Sequence, residues 1–371
     1  MEVFAVVSLS WACRLNLCFA FLNGKSKFSF QRVQTLPTSS LFIGSRQLLE
    51  FKEPTTNVTV QLVGSMHYNP SSIELARKTI QSLEENDELG SVVIESCDVR
   101  WQTTTEMPLW LQTLLMSEMR ASCDATLAAG RPVVLGDQRI NITVDSIKAA
   151  LKETIVDVVR PAQGWNRIIS NITTAWIATS PTESNGYLPI TSFFDPQLLI
   201  NAPVSLLKYP LSYLIRSPLT FFAFTSFLIV TDSIADQTSI PVEQMTWSDW
   251  ALSLSVALLE ITLFGRIFFK ELLAERNEIL AQSILDQCLI YQQQQQRVSN
   301  GDSTPSSPSH SQEDKTLGSS EREIRYVPTN MTMSERIGSD KEKTVVAVLG
   351  MAHCNGVAKL LKENRIQANK K

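Results

Sequence analysis

The chain has 371 residues, a formal net charge of -4 and 44% hydrophobic residues, enough to bury a sizeable core. The mildly acidic balance, with no basic stripe of interleaved aromatics, excludes nucleic acid as the main partner. Six cysteines without a C-x-x-C pair exclude a disulfide framework and a structural zinc site.

Residues 1–50 read as an address rather than a fold. Between Glu2 and Glu50 there is no acidic residue, while Arg14, Lys25, Lys27, Arg32 and Arg46 stand among Ser, Thr and Phe. That pattern resembles a transit peptide for organelle import, plastid or mitochondrion, with an unstructured extension carrying no address as another reading. The apolar run Val3 to Cys13 keeps the secretory pathway open as the alternative. The α/β domain is then expected over residues 51–291, with ordered sequence starting near Val58.

Val58 to Val63 reads as a strand and ends in Gly64-Ser65-Met66-His67-Tyr68-Asn69. Ser71 to Glu74 has the form of a capping box, and Ile73, Ala76, Ile80 and Leu83 follow at helical spacing. His67 therefore belongs to a loop joining a strand's carboxyl end to a helix. Two further apolar runs follow: Val92-Val93-Ile94, ending in Glu95 with Arg100 close behind, and Pro132 to Leu135, ending in Gly136-Asp137. Asp137 suits catalysis or the capping of a helix from Thr143 onward.

Residues 200–270 are unusually apolar. Ser217 to Val230 carries no charge, and Trp250 to Phe269 holds Glu260 and Arg266. A buried or amphipathic helix and a membrane-docked hairpin both remain open. From Phe268 to Gln287, Leu272, Leu273, Ile279, Leu280, Ser283 and Ile284 fall on one helical arc, and Arg276 projects into its middle. A guanidinium on a core-facing stripe needs an anion, so Arg276 is expected either to snorkel to the helix edge or to meet a carboxylate or a substrate oxygen. Glu275 is a second inward group or a solvated one. Residues 292–343 are rich in Ser, Pro, Gln and charge, and are expected as a disordered insertion with His310 solvated. Residues 344–371 then supply a final strand and helix, with Thr344 to Leu349 running into Gly350-Met351-Ala352-His353-Cys354-Asn355.

Short apolar strands, each ending in a polar residue and separated by helical stretches, imply an α/β fold with a mostly parallel central sheet and helices on both faces. In such sheets ligands bind beyond the carboxyl ends of the strands, which gathers His67, Glu95, Asp137 and His353 on one rim. Two of the three histidines thus occupy matched strand–turn–helix units and point to one shared site. Two imidazoles and a carboxylate suit a divalent ion, with Glu95 as ligand or as base, and do not choose among manganese, iron, cobalt and zinc. The sequence has no His-Glu-x-x-His, no Gly-x-Ser-x-Gly and no phosphate-binding glycine loop.

The set Gly64 to His67, Val93-Ile94-Glu95 with Arg100, Leu135 to Gln138 with Ile142-Thr143, Glu275-Arg276-Asn277 and Gly350 to His353 resembles the TraB/PrgY/GumN/Tiki family. The resemblance covers roughly residues 58–290 and 344–365 and implies an α/β fold related to erythromycin esterases. It implies a metal-dependent, peptidase-like hydrolase that favours manganese or cobalt and acts on a peptide or protein substrate. His67, His353 and Glu95 would be the metal ligands, and Glu95 and Arg276 the catalytic pair. Asp137, Arg100, Glu275, Asn69 and Asn355 would surround them. Many relatives are tied to organelle membranes, so a non-catalytic protein of membrane contact or partner binding is the alternative.

Overall fold

A computed structural model describes residues 47–160, 163–180, 186–219, separate positions between 221 and 262, 265–299, 325–326 and 342–363. Its sheet follows the order β1-β2-β6-β3-β4-β5. The strands are β1 (Leu48–Lys52), β2 (Thr59–Ser65), β3 (Leu89–Ile94), β4 (Val133–Leu135), β5 (Arg325–Tyr326) and β6 (Thr344–Gly350). The class is α/β and the sheet is mixed: β2, β6, β3 and β4 pair in parallel, while β1 and β5 run antiparallel at the two edges. Leu48 to Glu50 belong to β1, so folded structure begins inside the segment read as an extension.

Continuous apolarity in the central strands follows from burial on both faces. All seven residues of β6 are buried. Val345, Ala347 and Leu349 join a core with Leu280, Ile284 and Cys288 of helix α8 (Glu275–Ser299) and Cys354, Val357 and Leu361 of α9 (Met351–Lys362). Val346 and Val348, on the opposite face, pack with Ala76 and Ile80 of α1 (Pro70–Glu85) and Met119 and Cys123 of α4 (Glu118–Ala128). Between them along the chain lie α2 (Asp98–Thr105) and α3 (Leu109–Leu114). Helix α1 starts two residues earlier than its capping-box pattern indicated: Asn69 is the N-cap, accepting from the Ser71 backbone, and Pro70 fills the first position. Proline loses nothing there, because that N–H has no helical partner.

After β4 the chain forms α5 (Ile140–Val159), α6 (Gln163–Thr179) and α7 (Pro196–Arg216). Among the described residues, α7 is long and apolar enough to cross a membrane by length and composition, yet only 17% of its most apolar window is buried. Ser217 to Val230 and Trp250 to Phe269 are described only in part, and residues 1–46 and His310 lie outside the described residues. Arg266, which looked like a charge inside an apolar span, is fully buried and donates to Asp157 and Glu153 of α5 at 2.8 and 2.7 Å. A π-helical stretch, Ile267–Ala274, leads into α8. Its wider turn rotates the expected arc, so Glu271 is buried and Leu272 is only half-buried. Helix α8 then continues through the glutamine run to Ser299, past the point where the polar insertion was expected to open.

Candidate functional site

Register alone brings the distant motifs together. Ser65 stands opposite Gly350, and Ile94 opposite Val348, so the loops leaving β2, β3 and β6 emerge side by side. Glu95 continues the ladder, its N–H donating to Val348 O at 3.2 Å. On the far side, Gly136 N donates to Ile94 O at 3.0 Å and places Asp137 beside Glu95.

Gly350 marks the centre. A Cβ on it would stand 3.1 Å from Glu95 Oε2, 3.4 Å from His67 Nε2 and 3.6 Å from His353 Cδ2. Both imidazoles and the strand-end carboxylate therefore face one small volume, kept open by the missing side chain. Glu95 Oε2 accepts from Gly350 N at 2.6 Å, at the start of α9, where the helix end favours negative charge.

Each imidazole is oriented through its other nitrogen. His67 Nδ1 meets Glu118 Oε1 at 2.5 Å, and Glu118 Oε2 also accepts from Tyr68 N at 3.0 Å. Tyr68 adopts the left-handed conformation, φ 60, which turns its N–H toward that carboxylate. His353 Nδ1 lies 2.7 Å from Asn277 Oδ1. A carboxylate oxygen and an amide oxygen accept, so each Nδ1 is the donor in its contact and each Nε2 is turned toward the site. His353 Nε2 is buried without a hydrogen-bond partner, 3.3 Å from Glu95 Oε1. Gly356 makes the Asn277 contact feasible, since a Cβ there would fall 2.1 Å from Asn277 Nδ2.

Arg276 meets carboxylates rather than open solvent. It donates to Glu95 Oε1 at 2.6 Å and to both oxygens of Asp137 at 2.9 and 2.6 Å. Arg100 closes on Asp137 from the other side. Burial alone would raise the Glu95 carboxyl, but His353 and the Arg276 guanidinium hold it well below its ordinary value. Burial likewise opposes ionisation of Asp137, and Arg276 and Arg100 reverse it. The site is thus a buried chain of alternating charge with Glu95 ionised.

Three surrounding candidates do not reach it. Asn69 caps α1 and donates to Leu198 O at 3.0 Å. Asn355 exchanges two hydrogen bonds with the Leu188 backbone. Glu275 turns toward Lys270 and Glu271, because it follows the π turn rather than a regular helix. Asp137 is no helix cap, since α5 starts at Ile140 and Asp137 is held by the two arginines. Glu118 escaped the sequence reading, and Asn277 was named in the Glu275-Arg276-Asn277 motif without a role. Asn277 adjoins Arg276 and could have been suspected, but nothing near Glu118 marks it, fifty-one residues from His67.

As a metal centre the donors are of the right kind: two imidazole Nε2 atoms aimed at a common point and an ionised carboxylate. Among the described residues, no three His, Cys, Asp or Glu side chains already stand at ion-holding spacing. Glu95 is drawn instead to Arg276 and Gly350. No protein-family model matches the chain, and no curated protein matches it significantly.

Proposed function

We propose that the chain is a metal-dependent hydrolase of the TraB/Tiki type, acting on a peptide or protein substrate. The observation that carries this reading is the convergence of His67, His353 and Glu95 on Gly350, with each Nδ1 fixed by an acceptor. His67, His353 and Glu95 would hold a divalent ion, of manganese or cobalt type by the resemblance. Bound there, such an ion supplies a Lewis acid for the scissile carbonyl and a water of lowered pKa.

The remaining chemistry belongs to the chain. Glu95 is ionised, and a carboxyl held well below its ordinary value suits a ligand better than a proton acceptor. Arg276 and Gly350 N fix its carboxylate, so it reaches a substrate already oriented. Because Arg276 is engaged with Glu95 and Asp137, its part is positioning Glu95 more than contacting a substrate anion. Burial of His353 and Glu95 excludes bulk water and strengthens each of these interactions.

A second reading, a non-catalytic organelle-membrane protein, is favoured by one feature: the large apolar side chains that α7 leaves exposed, Ile200 and Leu207 among them. Metal analysis separates the two. The purified full chain, titrated calorimetrically with manganese and with zinc, is expected to bind at least about 100-fold more tightly than a His67→Ala/His353→Ala variant, a larger effect than loss of an outer partner causes. Equal binding by both proteins would remove the hydrolase reading.

A further inference from the structure

Helix α7 is amphipathic in the wrong sense for a helix packed on a protein in water. Its inward residues include Ser205 and Ser212, one and five per cent exposed. Its outward face carries Leu199, Ile200, Leu206, Leu207 and Tyr213, with Ile200 77% and Leu207 71% exposed. Apart from Leu198, which is buried in the core at the helix start, the inward stripe is small hydroxyls and the outward stripe large apolar groups, the reverse of the usual pattern. Helix α5 shares the reversal, burying Thr154 and Asp157 while Ile155 and Val159 are exposed; α6 buries Ile168 but also exposes Ile169, Trp176 and Ile177.

This face adjoins the site. Tyr209 of α7 lies nearly parallel to the His67 ring, with centroids 6.1 Å apart. Tyr209 and Leu211 pack on a small core of Tyr68, Leu111 and Leu115, which α3 shares. The outer side of α3 exposes Leu109 and Trp110, 78% and 68%. His67, with 19% of its side chain exposed, is the accessible part of the site, whereas His353 is fully buried. The mouth at His67 is therefore flanked by two helices with outward apolar residues.

We infer that the outer faces of α3 and α7 rest on an anionic lipid surface, so that the His67 site opens at the membrane interface and takes a substrate presented there. The substrate clause rests on the hydrolase reading; the docking clause does not. Neither α3 nor α7 contains an acidic residue, while Lys208 and Arg216 lie on α7, half-buried, as in a helix that lies along headgroups. Lying flat fits better than spanning. Pro203 and Pro210 leave the Leu199 and Leu206 carbonyls without helical donors, and Lys208 sits between them. Headgroup water can satisfy those carbonyls, whereas a spanning helix would need a neighbouring donor for each.

Flotation of the full chain with vesicles tests the docking. The protein is expected to rise with phosphatidylcholine vesicles containing phosphatidylglycerol. A Trp110→Glu/Leu207→Glu variant should lose at least about tenfold in floated fraction while unfolding at the same temperature. A His67→Ala/His353→Ala variant should float like the parent, so a failed metal site and a failed docking face give different results. A parent that stays with the soluble fraction in every vesicle, or a double-glutamate variant that floats unchanged, overturns the inference. Vesicles should also slow modification of His67 by diethylpyrocarbonate, read by peptide mass; an unchanged rate overturns the placement of the mouth.

Discussion

At the scale of single residues, Glu118 shows how the site is controlled from outside its expected members. It is fully buried at the start of α4, and its carboxylate faces His67 Nδ1 and the Tyr68 backbone. Its effect on function passes through the tautomer and orientation of His67. Glu118→Gln keeps the shape but can present an N–H to Nδ1, which forces the proton to Nε2. We expect a roughly 10–100-fold loss of manganese or zinc affinity, with Glu118→Asp recovering part of it. The chain has three histidines, so nitrogen chemical shifts can report the His67 tautomer without metal. An unchanged tautomer in Glu118→Gln would show that the carboxylate does not set it.

At the scale of elements, the π stretch before α8 has two consequences. It delivers Arg276 and Asn277 inward together, so one helix start serves both Glu95 and His353. It also crowds Glu275 against Glu271. Burial first, and the Glu271 charge second, push the Glu275 carboxyl up to about 7 from its ordinary 4.5. The folded state therefore holds a proton that the unfolded chain releases between about pH 4.5 and 7. Stability from this group is complete below that window and falls as pH rises through it. Glu275→Gln should consequently gain in melting temperature relative to the parent at pH 8 and match it near pH 4.5. A parent–variant difference that does not change with pH would remove the Glu271–Glu275 pair as its cause. The exposure of Glu275, 39% of its side chain, makes this a solvent-screened effect.

At the scale of the whole molecule, the last strand in sequence is central in space. β6 lies between β2 and β3, and its seven residues are all buried. Pairing Thr59 with Thr344 and Val63 with Val348 closes nearly the whole chain into one loop. A chain truncated before Thr344 loses both neighbours' hydrogen-bond ladders and the floor of both cores. It is expected to yield no cooperative unfolding transition by circular dichroism, whereas shortening the segment between 300 and 341 on either side of β5 should preserve one. Closure entropy changes only as the logarithm of loop length, so the insertion is cheap and the strand is not. A cooperative transition in the truncated chain would refute this account of the core.

The apolar runs of β2, β3, β4 and β6 and the Gly-x-x-His loops were legible in the sequence, because strand burial on both faces and loop chemistry are written in consecutive residues. Arg276 was legible as a charge on an apolar arc. The α1 cap, the edge strand β1, the π turn and Glu118 were not. β1 and Glu118 depend on partners elsewhere in the chain, Val63 and His67, whereas the α1 cap is a local contact of Asn69 with Ser71 that the capping-box pattern at Ser71 obscured. The sequence by itself determined an α/β chain with two matched histidine loops and a strand-end glutamate. Tertiary structure alone decided that these groups meet at Gly350 and which nitrogen each imidazole presents. Strand register and second-partner hydrogen bonds are set by long-range packing, which no local pattern encodes.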